Sequence, residues 1–430
     1  MFTKKNIIKH TKILLTLLVF HFLLTTFLRY ELWYDLHIYF LNNSFVNLWK
    51  DFYLIFIYFL IFVYAYRNNF LYKLKNKFIY VFILLLFLSV VISLLHFRWF
   101  SSIIFWFKYD LWLFFPVIFY YLLDFDKKDI NRFYNFFINL IKITIVLSII
   151  FEIIRFFLPE ALYILWYWEL WNWWPNVKPP VFYETWFDWI ERVSWIFSWP
   201  NHLAFYFIAF GPLILLSILN KKLNYIWWIL YLVLLIWSLS RSAIVALFVE
   251  LFIISLFIYK YYWQYRNLIK KFFIAWFVLF SMWFLYLFIS WKYHQIILRW
   301  ASTKGHFDKS KEWFLKILEK PITWYWLASA WPASYHTKNP FIPESWILQI
   351  FDELWIFVWF LWFYFLYLIL KKLKENTEIT YPYLTKKSIF KIWIIVWVIW
   401  LLVQWLFLHS FEDSMIVIPL FIIIWILISW

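Results

Sequence analysis

Phe78-Ile-Tyr-Val-Phe-Ile-Leu-Leu-Leu-Phe-Leu-Ser-Val-Val-Ile-Ser-Leu-Leu-His96 runs for 19 residues without Asp, Glu, Lys, Arg, Pro or Gly. Wound as a helix it rises about 28 Å, close to the ~30 Å hydrocarbon core of a bilayer. Eleven further apolar runs read the same way: Ile13–Leu28, Phe45–Tyr66, Phe100–Leu123, Phe136–Leu158, Trp199–Leu219, Tyr225–Leu239, Ala243–Tyr259, Phe272–Ser290, Leu354–Leu370, Ile392–Leu408 and Met415–Trp430. The pair around Ser240 consists of two short halves, readable as two spans or one kinked region. The fold class expected is an all-α polytopic membrane protein with about twelve transmembrane helices.

Composition agrees. Of 430 residues 66% are hydrophobic, and the mean hydropathy is +0.73, against roughly 45–50% apolar in a soluble domain. That much apolar surface needs lipid as its solvent. The chain has no cysteine, which excludes disulfides and thiolate metal sites. Its formal charge of +16 would suit a nucleic-acid partner if it formed one patch. Instead the charge is dispersed between apolar runs: Lys4, Lys5, Lys9 and Lys12; Arg67, Lys73, Lys75 and Lys77; Lys127, Lys128 and Arg132; Lys221 and Lys222; Lys260, Arg266, Lys270 and Lys271; Lys371, Lys372, Lys374, Lys386 and Lys387. Every second loop is basic, which by the positive-inside rule places those loops and both termini in the cytoplasm. No nucleic-acid partner is expected, and the lipid bilayer is. The N-terminal span reads as retained, since no small-residue cleavage site follows it.

Two segments on the other side are long, residues 159–198 and 291–353. The chain thus divides into 1–158 (spans 1–5), 159–198 (outer loop), 199–290 (spans 6–9), 291–353 (large extracytoplasmic loop) and 354–430 (spans 10–12). From Ser310 to Lys320 the large loop has the pattern of a short amphipathic helix, and Pro321, Pro332, Pro340 and Pro343 then impose turns. Long ordered loops are usually functional.

Two counts stand apart. Glycine occurs twice and tryptophan 36 times, where ordinary usage predicts about 30 glycines. Trp237, Trp276, Trp283 and Trp397 fall inside apolar runs, although tryptophan prefers the membrane interfaces. Some bacterial lineages read UGA as glycine, and another common code reads it as tryptophan. The expectation is that most of these tryptophans are glycines in the native cell. A genuinely tryptophan-rich chain is the alternative.

No Walker loop, dinucleotide-binding glycine fingerprint or zinc-type His spacing is present, with tryptophan read either way. No cofactor or metal is expected, so a reaction here needs a preactivated substrate. A lipid-linked diphosphate sugar is the membrane-borne candidate. It calls for guanidinium forks to hold the diphosphate and for an acceptor group to orient the attacking hydroxyl. Arg192, Arg241 and Arg299 are the outer cations. Arg241, in Leu239-Ser240-Arg241-Ser242-Ala243, lies near membrane depth, where a charge marks a candidate site; it also reads as an arginine snorkelling to headgroups. Arg192 and Arg299 double as loop charges, and His336 as a solvated loop residue. Glu344 and Glu353 read as bases or as loop and cap acids, and His409, Glu412 and Asp413 as a polar turn.

With tryptophan read as glycine, three segments together resemble the O-antigen ligase and polymerase family. They are Arg192-Val-Ser-Trp195-Ile-Phe-Ser-Trp199-Pro200-Asn201-His-Leu-Ala204, the Ser240-Arg241-Ser242 turn, and the stretch from Pro321 through Trp324-Tyr325-Trp326 to Glu353-Leu354-Trp355-Ile356-Phe357-Val358-Trp359-Phe360-Leu361-Trp362. The resemblance covers residues 192–362. It implies a GT-C-like fold and a metal-independent glycosyl transfer outside the cytoplasmic membrane. Its donor is a glycan on undecaprenyl diphosphate, its acceptor a glycan or lipid. It implies that Arg241 and Arg299 bind the diphosphate, with Arg192 and Asn201 shaping the same pocket. The ligases carry a His about eleven residues before the span-entry glycine. Here Glu344 stands there and His336 eight residues earlier, so a polymerase-like member is favoured and Arg241, Glu344 and His336 form the candidate catalytic set. The function expected is a surface-polysaccharide polymerase or ligase. A flippase or transporter of the same lipid-linked glycan is the alternative, and a non-catalytic scaffold is a third.

Overall fold

The computed structural model describes residues 2–21, 24, 48–95, 112, 115–157, 183–184, 187–191, 200–218, 223–238, 241–262, 356–375 and 385–405, with scattered positions in 265–318 and 418–424. These residues are helical apart from one small hairpin. In chain order the elements are α1 (Lys4–Val19), α2 (Trp49–Arg67), a 3-10 turn (Phe70–Lys75), α3 (Lys77–Leu95), α4 (Phe115–Tyr121), α5 (Lys127–Phe157), β1 (Tyr183–Glu184), β2 (Phe187–Glu191), α6 (Pro200–Ile218), α7 (Asn224–Trp237), α8 (Arg241–Tyr261), α9 (Ile356–Glu375) and α10 (Lys386–Trp405).

The helix ends follow local chemistry. The Asn6 N–H donates to Thr3 Oγ1 at 3.3 Å, capping α1. At the start of α5, the Asp129 N–H donates to Asp126 Oδ1 at 2.8 Å and the Asp126 N–H to Asp129 Oδ2 at 3.4 Å, a reciprocal capping box. Helix α2 ends where Asn68 Nδ2 donates to the Tyr64 carbonyl at 2.8 Å and Asn69 turns left-handed at φ 58°. Within α6, Pro212 withholds the N–H that would bond to the Ile208 carbonyl.

Two helices carry large apolar side chains on their outward faces. On α2 the outward stripe is Phe52, Ile55, Phe59, Phe62 and Tyr66, each 46–67% exposed. On α5 it is Ile143, Val146, Ile150, Ile153 and Phe157. Both stripes step by three and four residues, so one whole helix face of large apolar side chains points outward. Meanwhile Thr144, Ser148, Ser217, Asn224 and Glu250 are buried. Most of the buried residues are apolar as well, and continuous outward apolar patches of this kind mark membrane or partner contact. Two described helices, Trp49–Arg67 and Lys127–Ile154, are long and apolar enough to cross a membrane by themselves. Shorter apolar helices occupy Lys77–Val91, Leu203–Ile218, Asn224–Trp237 and Ser388–Ile399. The expected spans 272–290 and 415–430 lie largely outside the described residues.

The chain forms two compact units. The first comprises Met1–Phe70, Phe125–Leu251 and Leu384–Trp393. In it α1 packs on α2 and α5, and α5 packs on α6 and α7, which pack on each other. Its charged helix ends gather in one place. Lys4 pairs with Asp129, and Arg132 reaches the same carboxylate at 3.4 Å. Lys386, opening α10, donates to Asn135 Oδ1 of α5 at 3.3 Å, and the Arg67 guanidinium closing α2 lies over the Phe2 ring at 4.9 Å. The second unit comprises Leu71–Asp124, Phe252–Tyr383 and Ile394–Trp430, with α3 packed on α9. There Lys73 pairs with Asp124 at 3.2 Å, Asn76 Nδ2 donates to Tyr121 Oη at 2.9 Å, and the Lys372 ammonium lies 5.7 Å from the centre of the Tyr121 ring.

The hydrogen bond from the Asp129 N–H, aided by the Lys4 charge, holds the Asp126 carboxyl below the usual carboxylate range. A carboxyl lowered on folding stabilises the fold above its unfolded pKa of about 4, and that contribution is lost as pH falls through the lowered value. Asp126→Ala should therefore cost about 1 kcal/mol at neutral pH and progressively less in acid. Melting curves of both proteins over that range would check it; a difference that grew in acid would contradict this account.

Candidate functional site

Of the residues read from sequence, Arg192, Arg299, His336 and Glu344 lie outside the described residues. Asn201 and Arg241 lie within them, at the first turns of α6 and α8. The two halves around Ser240 are separate helices, since α7 ends at Trp237 and α8 begins at Arg241.

Register decides whether Asn201 and Arg241 meet. Asn224 Nδ2 donates to Ser217 Oγ at 2.7 Å, and the Phe207 and Tyr231 rings touch edge to face at 5.4 Å. A pairing of 217 with 224, and of 207–211 with 231, is antiparallel. Continued toward the start of α6, it brings Asn201 to the end of the pair where α7 stops at Trp237. The beginnings of α6 and α8 therefore share one end of the α6–α7 pair. That end points away from the charged cluster at the start of α5, because α5 and α6 are antiparallel as well: Phe137 meets Phe210 at 5.8 Å and Thr144 Oγ1 meets Tyr206 Oη at 3.2 Å. Two helix starts at one end leave two sets of unsatisfied N–H groups and two positive dipole ends there, which suits an anion.

The pairing depends on Gly211. A Cβ there would fall on the Tyr231 ring, 2.6 Å from Cε2 and closer to Cζ and Oη. Gly211→Ala should cost about 2 kcal/mol through overpacking, with partial recovery in the double variant Gly211→Ala/Tyr231→Leu, measured by thermal unfolding in detergent. A single variant as stable as the parent would refute the register.

The segment 159–198 contains the β1–β2 hairpin, antiparallel with Tyr183 opposite Glu191 and Glu184 opposite Phe187. In the large loop, positions 308, 311, 312, 314, 315 and 318 are helical, in keeping with the expected short helix. Among the described residues no cluster of three His, Cys, Asp or Glu could hold a metal ion.

Sequence reading passes over one residue that burial brings forward. Glu250, halfway along α8, is completely buried, and neither carboxylate oxygen has a hydrogen-bond partner among the described residues. The signal was available, as a lone acid inside the run Ala243–Tyr259, where an ionisable group is a candidate functional residue by default.

No protein-family model, curated protein or solved structure matches this chain.

Proposed function

We propose that the protein is a polytopic membrane glycosyltransferase, with about twelve spans and both termini cytoplasmic. On this reading it polymerises or ligates an oligosaccharide carried on a lipid diphosphate such as undecaprenyl diphosphate. The observation that carries the reading is the α6–α7 register, which sets the Asn201 and Arg241 helix starts at one end, away from the basic ends. A diphosphate there would meet two sets of helix-start N–H groups and, from Arg241, a guanidinium suited to bidentate phosphate contact. The metal-independent chemistry then asks for Glu344 or His336 to prepare the acceptor hydroxyl, with Arg192 and Arg299 completing the diphosphate grip. The lipid-facing stripes on α2 and α5 support the membrane setting. The native chain would carry glycine at most tryptophan positions.

The cysteine-free sequence makes the geometry testable. In cells with an intact inner membrane, Ser240→Cys should react with a membrane-impermeant maleimide applied from outside, and Thr3→Cys only after permeabilisation. Labelling of both from the same side would end the proposal. One observation favours the second reading, a flippase for the same lipid-linked glycan: the buried carboxyl of Glu250. Sugar transfer by the purified protein from a synthetic polyprenyl-diphosphate donor separates the two, since a flippase forms no glycosidic bond.

A further inference from the structure

The outward face of α5 changes character once along its length. Lys128, Arg132, Asn135 and Asn139 are exposed, and from the next turn the exposed positions are Ile143, Val146, Ile150, Ile153 and Phe157. These positions step by three or four residues and form one stripe, polar at the basic end and apolar beyond it. Lys142 stands at the change. Its Nζ donates to Asn224 Oδ1 of α7 at 2.8 Å and lies 5.5 Å from the centre of the Trp227 ring. Asn224, only 4% exposed, is held in turn. Its Nδ2 donates to Ser217 Oγ of α6 at 2.7 Å, and Ser217 Oγ donates to the Ile214 carbonyl at 2.6 Å. A chain of hydrogen bonds through three helices thus fixes one ammonium at the α5–α7 seam. Outward apolar side chains flank that seam, Ile143 and Val146 on α5 and Leu223 and Ile226 on α7, each 41–58% exposed.

Other charges of this unit are placed elsewhere. Asp129 is taken by Lys4 and Arg132. Lys391, buried in α10, belongs to a helix that meets α5 at Phe137 through Phe390 and Trp393, about 140° round α5 from Lys142. Glu250 of α8 acts on Tyr231, which is about 10 Å along α7 from Asn224. A second ammonium does share the stripe, since Lys386 Nζ donates to Asn135 Oδ1 at 3.3 Å, two turns before Lys142. An ammonium held where a polar stripe gives way to an apolar one stands at the level of a lipid phosphate. A free anion would use the charge but not the apolar flanks, and two cations on one stripe disfavour a headgroup that carries its own choline. We propose that the α5–α7 seam binds one acidic phospholipid, its phosphate on Lys142 and its acyl chains along Ile143, Val146 and Ile226. The site rests on the membrane setting proposed above and not on glycan transfer.

Native mass spectrometry of the full-length protein in detergent, titrated with phosphatidylglycerol or with phosphatidylcholine of the same chains, tests it. The expected result is one tightly held phosphatidylglycerol per chain, preferred over phosphatidylcholine. Lys142→Gln should weaken it about tenfold or more, the scale of a hydrogen bond to a charged group, and Lys142→Arg should keep most of the affinity. Lys9→Gln, at an exposed position of α1, should cost no more than the roughly fivefold of one lysine near an anionic surface. If Lys142→Gln does not fold, Leu223→Asp replaces it. Residue 223 caps the start of α7, where an acid suits the helix, yet its charge should repel the phosphate by a similar factor. Equal binding of the two lipids, a loss in Lys142→Gln no larger than in Lys9→Gln, or displacement of the lipid by inorganic phosphate would overturn the proposal. Flotation with liposomes separates the two failures. A protein that floats without lipid preference loses only this site, and one that does not float loses the membrane setting and the site together.

Discussion

Under the proposed glycosyl-transfer function, Arg241→Ala is expected to lower transfer about a thousandfold, the scale of losing a preorganised charged donor to a developing anion, while the protein still inserts and stays monodisperse. The leaving diphosphate gains charge as the glycosidic bond breaks, so a fork of N–H groups at its oxygens is worth more in the transition state than in the bound donor. The loss should thus appear in kcat. Arg241→Lys keeps the charge but not the planar fork, and should fall between the two. Asn201→Ala, removing an uncharged partner at the same end, should cost roughly tenfold, about one hydrogen bond. Donor turnover in proteoliposomes, with Glu344→Gln and His336→Ala measured alongside, would rank the roles. Transfer by Arg241→Ala within a few-fold of the parent would remove the main support for an enzyme.

The second large effect concerns tryptophan. Trp359 and Trp362 of α9, preceded by Trp355, repeat at i, i+4 and i+7, and Trp393, Trp397 and Trp400 of α10 repeat the same spacing. Trp362, Trp393 and Trp397 are at most 2% exposed. As written, the Trp393 ring lies among Phe137, Phe210 and Phe390 at 5.2–5.7 Å, and its Nε1–H donates to the Ala209 carbonyl at 2.6 Å. Two tryptophan series with one spacing match what small-residue helix-packing faces require, and glycine at these positions would let a neighbouring backbone approach closely. The intact protein from its native cells should weigh less than the 54.3 kDa of the chain as written. A native mass equal to that value would mean that the indoles are real. Trp393→Ala would then cost about 4 kcal/mol, the usual loss for a buried large aromatic.

The long helices were legible because uncharged runs announce themselves, and Lys77–Leu95 matches the expected 78–96 closely. Other boundaries moved for identifiable reasons. Helix α1 begins at Lys4, nine residues before the apolar run, because Ile7, Ile8, Thr11, Leu14 and Leu15 keep one buried face while the lysines occupy the other. Hydropathy averages over both faces and misses such a start. Helix α5 begins at Lys127 for a similar reason, with the Asp126–Asp129 box supplying its start signal. The 3-10 turn at Phe70–Lys75 and the β1–β2 hairpin left no clear periodicity to read. Of the site, the sequence placed Asn201 and Arg241 at helix starts, but only the α6–α7 register set them at one end. Glu250 escaped because one acid barely changes the average of a long apolar window.

Helix α5 has 31 residues, about 46 Å of rod against roughly 30 Å of oil. Its surplus is the stretch from Lys127 to Asn135, already polar and braced by Lys4 and Lys386. Under the proposed membrane-spanning fold, such a sleeve can ride deeper or shallower as the membrane thins or thickens, without dragging a bare charge into the acyl chains. Reconstitution into short- and long-chain lipids should therefore be tolerated alike at this end, leaving the opposite rim as the side that senses bilayer thickness.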